Sequence, residues 1–85
     1  MQKVNVYSVR DAKAEVYNQP YCLKNHALAI RSFQEHCENP QTEWHKYPED
    51  FTLFQIGEYH TETGKLTPLD SPVQIAQAVD FNKAE

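Results

Sequence analysis

The chain has 85 residues, a net charge of −4 and an ordinary globular composition, with 40% hydrophobic and 24% charged residues. This length predicts a single domain, residues 1–85, with a limited core, for which dimerisation is a common way to bury more surface. No apolar run reaches the roughly 18 residues of a membrane helix, and the first residues lack the apolar core of a signal peptide. We therefore expect a cytosolic protein with no membrane contact, in which Cys22 and Cys37 are free thiols.

The charge is unevenly distributed along the chain. Residues 1–33 carry a net charge of +3, whereas residues 34–85 carry −7. Phosphate binding requires Lys and Arg, so the acidic total argues against a nucleic-acid partner, while the basic first part permits a local patch. Charge alone leaves open whether such a patch survives folding.

The first half of the chain predicts two strands followed by a helix. Apolar and polar residues alternate from Lys3 to Val9, which is typical of a half-buried strand, and a polar turn at 10–13 leads to a short strand at 14–17. Asn25 is a suitable N-cap for a helix that runs to about Cys37. The apolar stripe of this helix consists of Ala29, Ile30, Phe33 and Cys37.

The second half predicts a hairpin and a second helix. Phe51 to His60 has apolar residues on both faces, which indicates a central strand, and Gly64 provides the positive φ of a loop at 61–64. Lys65 to Leu69 returns as an edge strand, because it contains a proline. Ser71 and Pro72 resemble a capped helix start, with a helix to about Phe81. Its buried stripe would be Pro72, Ile75, Ala76 and Val79. The predicted fold class is α+β, a small antiparallel sheet of about four strands packed against two helices.

No catalytic constellation stands out. Gly57 and Gly64 are the only glycines, and the sequence lacks a phosphate-binding loop, a GxSxG elbow and paired histidines on a helix. Cys37 lies on an apolar helix face, where a core thiol is the simpler explanation than a nucleophile. His36, Cys37 and His45 are conceivable metal ligands, but they lack CxxC or HxxxH spacing. We therefore expect a non-enzymatic protein with no cofactor and no metal.

Aromatic and basic residues suggest a surface for single-stranded nucleic acid. Such surfaces combine cations with aromatic rings on which bases stack. Trp44, Phe33, Phe51 and Phe54 are assigned to the core, whereas Tyr17, Tyr21 and Tyr47 are better candidates, since tyrosine tolerates a wet edge. The candidate DNA-binding residues are Arg10, Lys13, Tyr17, Tyr21, Lys24 and Lys46. The alternative is that Tyr17 and Tyr21 pack under the first helix and bind nothing.

Several runs of residues resemble a known family. They are Val6–Asp11, His45–Phe51, Leu53–Phe54, Gly57–Tyr59, Thr63–Lys65, and Pro68–Asp70 followed by Pro72. The chain resembles, over nearly its whole length, the small non-structural protein of gokushoviruses, single-stranded DNA phages of the Microviridae. The run from His45 to Phe51 is the most specific part, and residues 22–42 are the least distinctive.

The resemblance implies an accessory role in viral DNA replication or packaging, in the host cytoplasm, without catalytic residues. Together with the residues above, it predicts a protein that binds single-stranded DNA and forms a homodimer. The alternative is an acidic adaptor that binds a host or viral replication protein without touching DNA. Salt dependence of affinity separates these two functions, because phosphate contacts weaken steeply as salt rises.

Overall fold

A computed structural model describes residues 2–81 of the chain, and these residues form five strands and two helices. The strands are β1 (Lys3–Asp11), β2 (Val16–Tyr17), β3 (Tyr21–Leu23), β4 (Phe51–His60) and β5 (Lys65–Gln77). The helices are α1 (His26–Glu38) and α2 (Glu43–Lys46), and short 3-10 turns lie at Pro48–Asp50 and Ala78–Asp80. This content confirms the predicted α+β class.

The strands form one curled antiparallel sheet in the order β2-β1-β4-β5. β3 also pairs with β1, on the edge that β2 occupies, since β4 pairs with β1 along its whole length. β4 therefore lies between two strands, as predicted from its two apolar faces. β5 lies at the edge of the sheet, as predicted for Lys65 to Leu69.

Helix α1 covers one face of the sheet. The side chain of Asn25 caps the helix by accepting a hydrogen bond from the Leu28 N–H at 2.9 Å, which confirms the predicted start. The predicted stripe is buried at Ala29, Phe33 and Cys37. These side chains join a core cluster with residues of the strands and the second 3-10 turn, namely Tyr7, Val9, Phe51, Leu53, Ala76 and Ala78. The sheet face that packs on α1 is called the covered face below, and the opposite one the open face.

The predicted helix at 71–81 is wrong, because β5 continues as a strand to Gln77. Residues 73–77 pair with residues 52–55 of β4 and supply partners for backbone groups that a helix would leave unpaired at this edge. Residues 69–72 bulge out of the ladder between the pairs Gly57–Pro68 and Gln55–Val73, so the capping signal at Ser71 marks this bulge. Of the predicted stripe, Ala76 is buried, Ile75 is half-buried, and Pro72 and Val79 are exposed.

Three smaller differences concern short elements. β1 runs two residues beyond Val9, so the turn moves to residues 12–15, where Glu15 adopts a φ of 62°. β3 was not predicted, and neither was α2, which is one turn long and capped by the Thr42 side chain. Gly64 has a φ of 75°, as predicted for the hairpin loop.

Candidate nucleic-acid interface

An aromatic and cationic cluster lies on the open face of the sheet. Arg10 of β1 is directly opposite Tyr17 of β2, and Ser8 of β1 is opposite Phe54 of β4. The rings of Tyr17 and Phe54 meet edge to face, with centroids 5.6 Å apart. The Arg10 guanidinium carbon lies 5.8 Å from the Tyr17 ring centroid. Tyr17 is 44% exposed, so its ring remains accessible beside a cation. Arg10, Tyr17 and Phe54 are called the Tyr17 cluster below.

Local turn chemistry brings Tyr17 to this position. The Asp11 side chain accepts hydrogen bonds from the backbone N–H groups of Lys13 and Ala14, at 3.0 and 3.3 Å. This arrangement closes the turn at 12–15 and reverses the chain, so that β2 runs back along β1. Arg10 and Tyr17 then face each other across the two strands, which fixes both side chains on the open face.

The open face continues as an apolar groove toward the β4–β5 hairpin. This groove has a volume of about 200 Å³ and is lined by Val6, Pro20, Ile56, Gly57, Leu66, Thr67 and Pro68. Leu66 is 63% exposed, so the groove borders an apolar surface that reaches solvent. The face that carries the Tyr17 cluster thus has both aromatic and aliphatic contact area.

The other candidate tyrosine, Tyr21, belongs to the covered face. It is opposite Tyr7 in the β1–β3 pairing, and the two ring centroids are 6.2 Å apart. Burial, and to a lesser extent the nearby Tyr7, raise the pKa of the half-buried Tyr21, so the phenol is neutral at physiological pH. Tyr17 and Tyr21 therefore lie on opposite faces of the sheet, and the chain between them crosses its edge.

The candidate lysines do not gather beside the Tyr17 cluster. Lys24 lies in the bend before α1 and Lys46 ends α2, and both are exposed. Lys13 lines a cleft of about 420 Å³ together with four carboxylates, Asp11, Glu43, Glu49 and Asp50, and with Tyr47 and Phe51. These seven residues are called the acidic cleft. The structure thus joins Arg10 to Tyr17 and places Lys13 in acidic surroundings.

A second cleft lies at the edge of the sheet on the covered side. Its volume is about 500 Å³, and it lies between α1, α2 and the β2–β3 connection. Its lining consists of Val9, Asn18, Gln19, Tyr21, Ser32, His36 and Trp44, and it is called the amide cleft. Trp44 packs on Phe33 at 5.5 Å and on His36 at 4.7 Å between ring centroids. The His36 Nδ1 donates to the Ser32 carbonyl at 3.0 Å, which leaves Nε2 as an acceptor when the ring is neutral.

The sequence did not predict all residues of the Tyr17 cluster and of the amide cleft. Phe54 was assigned to the core, although the alternation of β4 already placed it on the face opposite Phe51 and Leu53. Trp44 was also assigned to the core, and it does pack there while lining the amide cleft. Asn18 and Gln19 gave no signal, because polar residues before a proline read only as a loop.

Residues 2–81 contain no group of three or more His, Cys, Asp or Glu side chains placed to hold a metal ion. Cys37 is buried and Cys22 is exposed, and neither forms a disulfide. Desolvation, followed by the nearby Glu38 carboxylate, raises the pKa of the Cys37 thiol to about 11, which disfavours the nucleophilic thiolate. None of the helices in residues 2–81 is long and apolar enough to span a bilayer.

Comparison with known proteins gives one family. The family model described as "Phage ORF5 protein" matches residues 4–81, which is most of the chain. No curated protein and no solved structure matches the chain. Because the match runs from the second residue of β1 to the residue after the second 3-10 turn, it covers both clefts and all of the sheet except Lys3. The chain belongs to the Phage ORF5 protein family and is a bacteriophage protein.

Proposed function

We propose that this phage protein binds single-stranded DNA through the Tyr17 cluster, as a non-enzymatic accessory of viral DNA replication or packaging in the host cytoplasm. The observation that carries the proposal is the exposed Tyr17 ring, which packs on Phe54 and lies beside Arg10. Base stacking on an aromatic ring contributes about 1–3 kcal/mol, and every base has a face that can stack. The sequence resemblance to gokushovirus non-structural proteins supports the same role.

The geometry favours single strands over duplex DNA. An aromatic ring on a sheet face stacks with an unpaired base, whereas the bases of a duplex are already stacked on each other. The only long helix in residues 2–81, α1, packs on the sheet through its apolar face, and the sequence shows no helix-turn-helix pattern for reading the major groove. We therefore expect little sequence preference and a preference for single strands.

Fluorescence anisotropy with labelled single-stranded and duplex oligonucleotides, over a salt series, tests the proposal. Tyr17→Ala is expected to weaken single-strand binding about fivefold or more, since one stacking partner is lost. Tyr47→Ala is the matched control, because Tyr47 is 53% exposed but lies in the acidic cleft. Equal or tighter duplex binding, or equal effects of the two variants, would contradict the proposal.

A second candidate function is a protein adaptor that does not touch DNA. It is favoured by the acidic cleft, in which four carboxylates surround Lys13 and an exposed tyrosine. Such a cleft suits a basic segment of a host or viral replication protein. Binding of a Lys- and Arg-rich peptide that is lost in Glu43→Gln/Glu49→Gln, with no binding of oligonucleotides, would favour the adaptor.

We also propose that the protein forms a homodimer. The chain is short, and its edge strand β5 and the groove beside Leu66 are uncovered. Pro68 and Pro72 lack the N–H groups that strand pairing at this edge would use, so side-chain contacts around Leu66 are the more suitable contact. Light scattering at micromolar concentration is expected to give a dimer mass for the wild type and a lower mass for Leu66→Lys. A monomeric wild type would exclude this arrangement.

A further inference from the structure

We propose that the amide cleft is a nucleobase pocket that takes one unstacked base, with its sugar and phosphate left outside. The base comes either from a bound single strand or from a free nucleotide, and for the strand the inference rests on the proposed function. The cleft is separate from the Tyr17 cluster, which lies on the other face of the sheet.

The lining of the cleft fits a planar heteroaromatic group. Trp44 and Tyr21 provide aromatic surface, and the ring of His36 lies against that of Trp44. Pockets that recognise unpaired bases combine such rings with hydrogen-bonding groups for the base edge. The volume of about 500 Å³ lies within the range of small-molecule sites.

Four side chains of the cleft have polar groups that can hydrogen-bond to the edge of the base. Within residues 2–81, the side chains of Asn18 and Gln19 make no hydrogen bond, and neither do the hydroxyls of Tyr21 and Ser32. An amide donates and accepts at once, which matches the paired donors and acceptors of a base edge. His36 adds an acceptor at Nε2, because its Nδ1 is committed to the Ser32 carbonyl.

The charge of the lining argues for the base and against the phosphate. None of the seven lining residues is Lys, Arg, Asp or Glu. A phosphate pocket would need cations or a cluster of backbone N–H groups. A purely apolar ligand would leave the amide groups without partners when they lose water. A neutral aromatic ring with a polar edge can pack on the aromatic side chains of the cleft and hydrogen-bond to its amides.

The backbone of the first amide residue, Asn18, is anchored to β1. The Asn18 N–H donates to the Val9 carbonyl at 2.9 Å, and the Ser8 hydroxyl donates to the Asn18 carbonyl at 2.7 Å. This anchoring limits the ordering that binding requires. Because Asn18 directly follows Tyr17 in the chain, the amide cleft and the Tyr17 cluster adjoin the same edge of the sheet.

Trp44 is the only tryptophan in the chain, so its fluorescence reports directly on the cleft. The probes are an oligothymidine, the same chain with abasic sites throughout, and free thymidine and adenosine monophosphates. The test variant is Asn18→Ala/Gln19→Ala, which removes two exposed amides and keeps the backbone anchors. Gln41→Ala is the matched control, because Gln41 is an exposed amide outside the cleft.

We expect saturable quenching of Trp44 by oligothymidine and not by the abasic chain. The double variant is expected to raise the dissociation constant measured by quenching about three- to tenfold, as for the loss of neutral hydrogen bonds, and Gln41→Ala to leave it unchanged. Quenching by the mononucleotides with the same variant sensitivity would support the cleft and identify a free nucleotide as a source.

The cleft and the proposed function can fail separately. If labelled oligothymidine binds by anisotropy while neither it nor the mononucleotides quench Trp44, or if the double variant behaves like Gln41→Ala, the nucleobase pocket is overturned and strand binding stands. If no oligonucleotide binds, the proposed function fails. The mononucleotide titration then decides the cleft, and absence of variant-sensitive quenching overturns it.

Discussion

The hydroxyl of Tyr7 in β1 lies 2.7 Å from Nδ1 of His26, the first residue of α1. Asn5 Nδ2 donates to the same hydroxyl at 2.9 Å, so the Tyr7 O–H donates to the His26 nitrogen. Desolvation raises the pKa of the buried Tyr7, outweighing the opposite effect of the Asn5 hydrogen bond, which keeps the phenol protonated as a donor. This hydrogen bond ties the start of the helix to the sheet.

The first prediction concerns this tie. His26→Ala is expected to destabilise the protein by about 1 kcal/mol, because the buried Tyr7 hydroxyl loses its acceptor. In a double-mutant cycle with Tyr7→Phe, the coupling energy is expected to be about 0.5–1.5 kcal/mol. Urea unfolding of the four proteins gives the cycle, and additive effects of the two substitutions would contradict the assignment.

The second prediction separates the two candidate tyrosines. Tyr21→Ala is expected to lower stability by about 2 kcal/mol or more, because its ring packs on Tyr7 and the core. Tyr17→Ala is expected to cost less than about 1 kcal/mol, since Tyr17 is exposed. Thermal unfolding measures both, and Tyr21→Phe serves as the control that keeps the ring. A Tyr21→Ala protein as stable as wild type would show that the ring is free for DNA.

How far the sequence predicts this structure depends on whether local or distant contacts decide each element. Helix α1 is encoded locally, by the Asn25 cap and by an apolar stripe, and it was predicted within one residue. The conformation of Ser71 to Gln77 depends on pairing with the edge of β4, which is distant in sequence. The local capping signal therefore predicted a helix where the chain forms a strand. The same holds for Lys13, whose acidic surroundings come from Glu43, Glu49 and Asp50, more than 25 residues away. Only part of the Tyr17 cluster could be predicted. The alternation in β4 placed Phe54 on the open face, but it could not show that this ring contacts Tyr17 of β2.

The third prediction compares two cations from the candidate DNA-binding set. Arg10 lies beside the exposed Tyr17 ring, whereas Lys13 lies among four carboxylates that compete with a phosphate. The salt slope of single-strand binding is about −0.7 per neutralised phosphate. Arg10→Ala is therefore expected to flatten the slope by up to about 0.7, and Lys13→Ala by clearly less. A larger change of the slope with Lys13→Ala would indicate that the DNA phosphates contact the turn at 12–15 and not Arg10.

The fourth prediction concerns the buried thiol. The folded-state pKa of Cys37 is about 11, above its ordinary value of 9.0. Because the raised pKa means that folding favours the neutral thiol, this contribution to stability is full below pH 9.0 and is lost as the pH rises through about 11. The Cys37→Ala protein is expected to lose less stability than wild type over that interval. A thiol reagent near neutral pH is expected to label the exposed Cys22 alone, and labelling of both thiols in the folded protein would contradict the burial.

The last prediction concerns the close approach of β4 and β5 at Gly57. A Cβ atom at this position would lie 2.8 Å from the Thr67 carbonyl oxygen and 3.4 Å from the Pro68 Cα, both backbone atoms. Gly57→Ala must therefore shift one strand beside the bulge, at an expected cost of about 1–3 kcal/mol. Gly64→Ala is the control, because its Cβ would meet no atom within 4 Å and only the φ of 75° is strained, at a cost of about 1 kcal/mol. Hydrogen exchange separates the causes: Gly57→Ala is expected to speed exchange of the amides that bond between β4 and β5 beside Gly57, and Gly64→Ala to leave protection away from the hairpin loop unchanged. Unchanged exchange of those amides in Gly57→Ala would show that the strands are not held as closely as the geometry indicates.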